Sequence, residues 1–242
     1  MCGKEQPVIS DRRVSIVVLN GSPHRDGNTA TLMGWVVAGC VEAGASVEWI
    51  HLVDHSIDYC QGCFTCLRTG ECHIQDGFAQ VRRRMEMADG IIVGSPMYAG
   101  QPTAQLKTFL DRLTLLNLYT HVFERQRSVA VVTSGVAPTR SMARELAVHF
   151  GCCSDIVGAR TASVGRGYQP LVDVHHPRLP ERARVVGLRL VGDIHRAARW
   201  RFPTREQVYF HLLRRLVIRP LVMRKPEQFA GVLAIWREKG WL

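Results

Sequence analysis

Val14-Ser-Ile-Val-Val-Leu-Asn-Gly-Ser-Pro-His-Arg-Asp-Gly-Asn-Thr29 reads as a strand, a polar loop and the start of a helix. Residues 14–19 are a β-branched apolar run, the composition of a strand buried on both faces of a parallel sheet. The run breaks at Asn20-Gly21-Ser22-Pro23, a dense turn signal. Asn28-Thr29 then reads as the cap of a helix over 30–41, with Leu32, Met33, Val36, Val37 and Cys40 at helical spacing. A loop of this kind aims backbone N–H groups, hydroxyls and an amide at one point. The helix dipole adds positive potential there, so the loop suits a phosphate. Neither G-x-G-x-x-G nor G-x-x-x-x-G-K-[ST] occurs, and a tight turn with a capped helix would explain Gly21, Pro23 and Asn28 on its own.

The alternation continues. Strands are expected over 46–52, 90–95, 127–133 and 156–164, and helices over 77–87, 103–113 and 138–150. In the second strand Val47, Trp49 and His51 face one way, and Arg82-Arg83-Arg84 on the following helix reads as a solvated face. Repeated β-loop-α units of this size imply a parallel sheet with helices on both faces. Five strands fit the doubly wound order 2-1-3-4-5, which binds its ligand where the first and third strands end. The loops there hold Ser22 and Pro96.

The 242 residues, 46% of them hydrophobic, can bury a full core. There is no run of about 18 apolar residues, so no membrane span is expected, and residues 1–10 lack the apolar segment of a signal peptide. A cytoplasmic protein is the expectation. The net charge of +10 sits in the tail: residues 160–242 carry 17 Lys+Arg against 6 Asp+Glu, while the rest is nearly balanced. That asymmetry divides the chain into an α/β domain over 1–164 and a basic helical C-terminal extension over 165–242. Within the extension, 165–180 reads as a connector, and 182–200, 204–218 and 226–239 as helices. Its interleaved Leu, Val, Ile and Trp suit helices packed on the domain or on another subunit, and no recognition module points to nucleic acid.

Eight cysteines in a reducing compartment suggest metal or redox chemistry rather than a disulfide framework. Four of them form Cys60-x2-Cys63-x2-Cys66-x5-Cys72, within an insertion over 57–73 that leaves the second strand at the ligand edge. Three thiolates at steps of three can wrap one face of a compact inorganic cube, and the fourth closes it. This spacing favours a [4Fe–4S] cluster over zinc, which usually takes two separated C-x2-C knuckles; zinc, a disulfide-forming pair and free thiols stay open. Cys40 belongs to an apolar helix stripe. Cys152-Cys153 reads as buried thiols, and His175-His176 as an ordinary loop.

In this order the residues resemble the iron–sulfur flavoproteins of the NADPH-dependent FMN reductase, flavodoxin-like group. The resemblance rests on Asn20-Gly-Ser-Pro with Gly27-Asn28-Thr29, the four-cysteine motif, Ala88-Asp89-Gly90 through Gly94-Ser95-Pro96-Met97-Tyr98, and Leu106-Lys-Thr-Phe-Leu-Asp-Arg112, and it covers about residues 14–164. It implies that Ser22, His24, Arg25, Asn28 and Thr29 hold an FMN phosphate. Pro96, Met97, Tyr98, Ala99 and Gly100, with Thr133, Ser134 and Gly135, would line the isoalloxazine. Cys60, Cys63, Cys66 and Cys72 would ligate a [4Fe–4S] cluster that exchanges electrons with FMN, in a homo-dimer or homo-tetramer.

The sequence therefore reads as a flavodoxin-like FMN-dependent oxidoreductase with a [4Fe–4S] cluster. NAD(P)H is a candidate co-substrate, and a small molecule or a redox protein the partner. A cluster-free NAD(P)H-dependent FMN or quinone reductase and a non-catalytic electron-transfer flavoprotein are the alternatives. No general acid or base is assigned.

Overall fold

The computed structural model describes residues 12–147, 149–160, 170–171, 177–199 and 212–242. Its centre is a parallel five-stranded sheet of β1 (Ser15–Asn20), β2 (Ser46–His51), β3 (Gly90–Pro96), β4 (Arg127–Ser134) and β5 (Cys152–Arg160), in the order β2-β1-β3-β4-β5. The doubly wound expectation is met. Along β1 successive side chains alternate between two cores: Val17 and Leu19 enter one, Ile16 and Val18 the other. That two-sided burial is why an uninterrupted β-branched run stands here rather than an alternating one.

The first core is roofed by α3 (Gly77–Met87), α4 (Ala104–Thr120) and α5 (Arg140–Ala147), through Phe78, Val81 and Met85, Leu106 and Phe109, and Met142 and Leu146. The second is roofed by α1 (Asn28–Glu42) and α6 (Leu179–Arg199), through Leu32, Met33 and Val36 and through Ala183, Val186, Leu190 and Ile194. The first helix of the basic tail thus covers half of one sheet face. α1 and α6 touch backbone to backbone. A Cβ on Gly187 would lie 1.9 Å from the Val36 carbonyl oxygen, and one on Gly39 equally close to that of Arg184. Between them Cys40 is fully buried; its thiol donates to the Gly187 carbonyl at 3.5 Å, and burial pushes its pKa up to about 12.

Several boundaries differ from expectation, each for a local reason. α1 starts at Asn28, with Gly27 as its N-cap and no capping side chain; Asn28 Oδ1 accepts from Leu171 N at 2.7 Å instead. α4 runs on to Thr120 rather than stopping at 113, since Leu116 continues its buried stripe. Thr103 is its cap and accepts from Leu106 N at 3.3 Å. β5 begins at Cys152, before residue 156, and α5 is confined to Arg140–Ala147. Arg82 is not solvated: it is 7% exposed and pairs with Glu86 at 2.9 Å. Cys153 is exposed rather than buried. His175-His176, most of the expected connector and residues 204–211 lie outside the described residues.

Beyond residue 212 a π turn (Arg214–Ile218) runs into α7 (Arg219–Arg224), and α8 (Ala230–Glu238) follows. The wide turn lets Leu213 and Ile218, five residues apart, face the same way; with Val222, Val232, Leu233 and Trp236 they form a third apolar cluster around Leu67 of the cysteine segment. No helix among the described residues is long and apolar enough to cross a membrane.

Gly187→Ala is expected to lower the unfolding free energy by about 1–3 kcal/mol, read as a lower denaturant midpoint at unchanged slope. Gly34→Ala, in α1 where an added Cβ meets nothing within 4 Å, should be neutral or stabilising.

Candidate functional site

The carboxyl ends of β1, β3 and β4 are knit together by short hydrogen bonds. Gly21 N donates to Gly94 O at 2.8 Å, and Met97 N to Thr133 O at 2.7 Å. The Thr103 hydroxyl donates to Gly21 O at 2.5 Å, and Thr103 N donates to the Ser95 hydroxyl at 3.1 Å. The buried Thr29 and Thr133 hydroxyls share a hydrogen bond of 2.7 Å across the α1–β4 junction. Residues from three separate loops are in this way held in one place.

Within the first loop Asn20 sets the shape. Fully buried, its Oδ1 accepts from Ser22 N at 3.0 Å, and its amide lies 3.1 Å from His51 Nδ1. The Ser22 hydroxyl accepts from His24 N at 3.1 Å. This curl leaves an open cleft of about 590 Å³ lined by Pro23, His24, Arg25, Asp26 and Gly27 on one side and Val53 and Asp54 on the other. Arg25 forms an ion pair with Asp54 across it. The positive end of α1 opens at the same point, with no acidic residue in its first turn. Of the expected phosphate residues, His24 and Arg25 line this cleft, and Ser22 is buried beside it, bonded to His24 N. Asn28 and Thr29 stand behind it, their side-chain oxygens bonded to Leu171 N and Thr133.

The third-strand loop carries Tyr98, half exposed, in a tight turn closed by its two backbone hydrogen bonds to Gln101 at 2.9 and 3.0 Å. Ala99 and Gly100 turn through left-handed backbone between them. Thr133 and Ser134 are buried at the end of β4, where the Ser134 hydroxyl donates to Ala137 O.

The cysteine segment leaves β2 through a single 3-10 turn (Leu52–Asp54) and holds α2 (Thr65–Thr69), whose end at Gly70 is left-handed. Cys60 and Cys63 are exposed, Cys66 and Cys72 half-buried, and all four are free. Burial pushes the Cys66 thiol up, and the neighbouring Cys72, Cys63 and Cys60 thiols push it further, so the four sulfurs act on one another. Side-chain and backbone hydrogen bonds of Thr65 hold Cys63 below the ordinary thiol range. Among the described residues no three His, Cys, Asp or Glu side chains converge as a metal site. As a donor set, four free thiols within thirteen residues suit iron–sulfur or zinc ligation.

Two elements to which the sequence reading gave no part at the cysteines shape this segment. Arg112 of α4, with no exposed side-chain surface, donates to Asp58 O and Ile74 O, both at 3.2 Å, and pairs with Asp76. Asp76 in turn accepts from Asp58 N at 2.8 Å and caps α3 by accepting from Phe78 N at 3.0 Å. The cap signal, Asp immediately before a helix, was legible for Asp76; nothing marked its partner, because Arg112 sits 36 residues away. The second element is α8. A Cβ on Gly231 would lie 2.0 Å from Gly70 N, so α8 rests directly on the end of α2. Trp236 Nε1 anchors it by donating to Tyr119 O at 2.8 Å.

The family model described as NADPH-dependent FMN reductase matches residues 14–168, and the chain belongs to that family. It is 38% identical over 99 residues to an iron-sulfur flavoprotein of Methanocaldococcus jannaschii, an alignment covering 41% of this chain and 51% of that protein. The chain thus spans about half the length of that relative. It is 29% identical over 195 residues to an iron-sulfur flavoprotein of Archaeoglobus fulgidus, covering 81% of this chain and 88% of that one. Among solved structures, the NAD(P)H:quinone oxidoreductase from Methanothermobacter marburgensis superposes with a TM-score of 0.55 at 16% identity, over 74% of this chain and 98% of that one, which shows the shared fold.

Burial alone would raise the Asp76 pKa, but the Arg112 hydrogen bond and the Asp58 and Phe78 N–H groups hold it below its ordinary 3.8. The stabilisation this lends is complete above 3.8 and is lost as pH falls below it through the folded-state value. Asp76→Asn, which keeps a capping side chain, should be less stable than wild type at neutral pH and should converge on it in acid; thermal melts across pH 2–7 check this.

Proposed function

We propose that the chain is an FMN-dependent oxidoreductase in which Cys60, Cys63, Cys66 and Cys72 hold a [4Fe–4S] cluster beside the flavin. The observation that carries this is the placement of four free thiols on a segment leaving β2 at the edge where the Ser22, Pro96 and Thr133 loops meet. Family membership supports the flavin, and the names of the two relatives support the cluster. Bound, FMN supplies two-electron chemistry and a [4Fe–4S] cluster one-electron chemistry.

The chain's own residues do the binding and orienting. Ser22, His24 and Arg25, with the open end of α1, take the phosphate, and Asn28 and Thr29 brace that turn from behind. Pro96, Met97, Tyr98, Ala99 and Gly100 form one wall for the isoalloxazine, and Thr133, Ser134 and Gly135 the other. Tyr98, half exposed, would leave a bound flavin open to NAD(P)H or to a small-molecule or protein acceptor. A cytoplasmic homo-dimer or homo-tetramer is the form we propose. One observation favours a second reading, a cluster-free NAD(P)H-dependent FMN or quinone reductase: the four thiols do not converge.

Anaerobic purification with iron, sulfide and flavin assays separates the two. The proposal predicts about four irons, four sulfides and one FMN per chain. Cys72→Ser should lose the iron and keep the FMN. Flavin without iron, in protein never exposed to air, leaves the cluster-free reductase. FMN should bind at least about tenfold more tightly than riboflavin, by flavin fluorescence, with Arg25→Ala narrowing the gap.

A further inference from the structure

We propose that Arg112 is a positioning residue for the cluster, its Nε–H held for the sulfur of Cys72. This rests on the reading above. The guanidinium is wholly buried and lies 4.4 Å over the Phe78 ring. Its two terminal nitrogens are committed: Nη1 to Asp58 O and Asp76, and Nη2 to Ile74 O. Of its remaining donors, Nε is buried and has no hydrogen-bond partner among the described residues. Buried donors without an acceptor are rare in folded proteins, and Nε is free to donate to a group beside it.

Cys72 is placed to be that partner. It is half-buried against the same core as Phe78, two residues before the Ile74 carbonyl that Nη2 grips. Burial works against the Arg112 charge, and Asp76 and then Cys72 favour it. Of the four cysteines, Cys72 alone follows a five-residue gap, and the Arg112 clamp is what fixes the chain where it returns.

An N–H aimed at a ligating sulfur draws negative charge off it, which eases reduction of the cluster and slows loss of the ligand. Arg112→Lys keeps the positive charge for Asp76 but has no Nε–H. In the anaerobic FMN- and cluster-loaded protein, EPR-monitored titration should show the cluster midpoint moved to more negative potential with the flavin midpoint unmoved. Iron release to a chelator should be about tenfold faster. Asp76→Asn loosens the same clamp but leaves Nε in place, and removes a negative charge, so its midpoint should not move negative. Wild-type midpoint in a fully loaded Arg112→Lys protein overturns the proposal. If that variant does not fold, reduced wild-type protein carrying ¹⁵N-arginine decides: a guanidinium nitrogen coupling to the cluster is expected, and its absence overturns the assignment. Wild-type protein without iron overturns both this proposal and the cluster reading. That failure differs from a cluster present but indifferent to Arg112.

Discussion

One buried guanidinium closes the cysteine segment. Residues 58–76 leave the sheet after β2 and return at the cap of α3, and a chain of that length has little apolar content to fold on by itself. Arg112 supplies what the segment lacks: it binds the carbonyl oxygens of Asp58 and Ile74 and the carboxylate of Asp76 at once. A buried charge is tolerated only when paired and hydrogen-bonded, and the Phe78 ring beneath it completes the enclosure. Because α4 is anchored in the core through Leu106, Phe109 and Leu113, the clamp transmits the position of the sheet to the four cysteines.

A second support comes from the other end of the chain. The basic extension does two separate jobs in the described residues. α6 lies backbone to backbone on α1 and covers one face of the sheet. α8 sits on the end of α2, joining Leu67 to Val232, Leu233 and Trp236. The contact at Gly231 leaves no room for a side chain, so the closeness of α8 to the cysteine segment is built into the sequence at that position.

Much of this was legible beforehand. The strand-loop-helix at residues 14–29 and the repeated β-loop-α pattern sufficed for the sheet order, since parallel strands buried on both faces carry a distinctive β-branched composition. The loops that approach one another at the sheet edge followed from that order alone. Legibility failed where a side chain's partner is distant in sequence. Arg82 looked like one of three solvated arginines, yet it is buried against Glu86. Arg112 stood in plain view at the end of Leu106-Lys-Thr-Phe-Leu-Asp-Arg, but a helical arginine carries no local sign of a partner 36 residues back. Asn28 was misread as a cap because its amide bonds to Leu171, 143 residues on.

Arg112 holds the cysteine segment to the sheet, and amide hydrogen exchange on wild type and Arg112→Ala tests this most directly. Protection at Asp58 and through residues 58–76 should collapse in the variant while β1, β3 and β4 keep theirs, the mark of local opening on an intact sheet. Unchanged protection across 58–76, or loss spread evenly over sheet and segment, would contradict it.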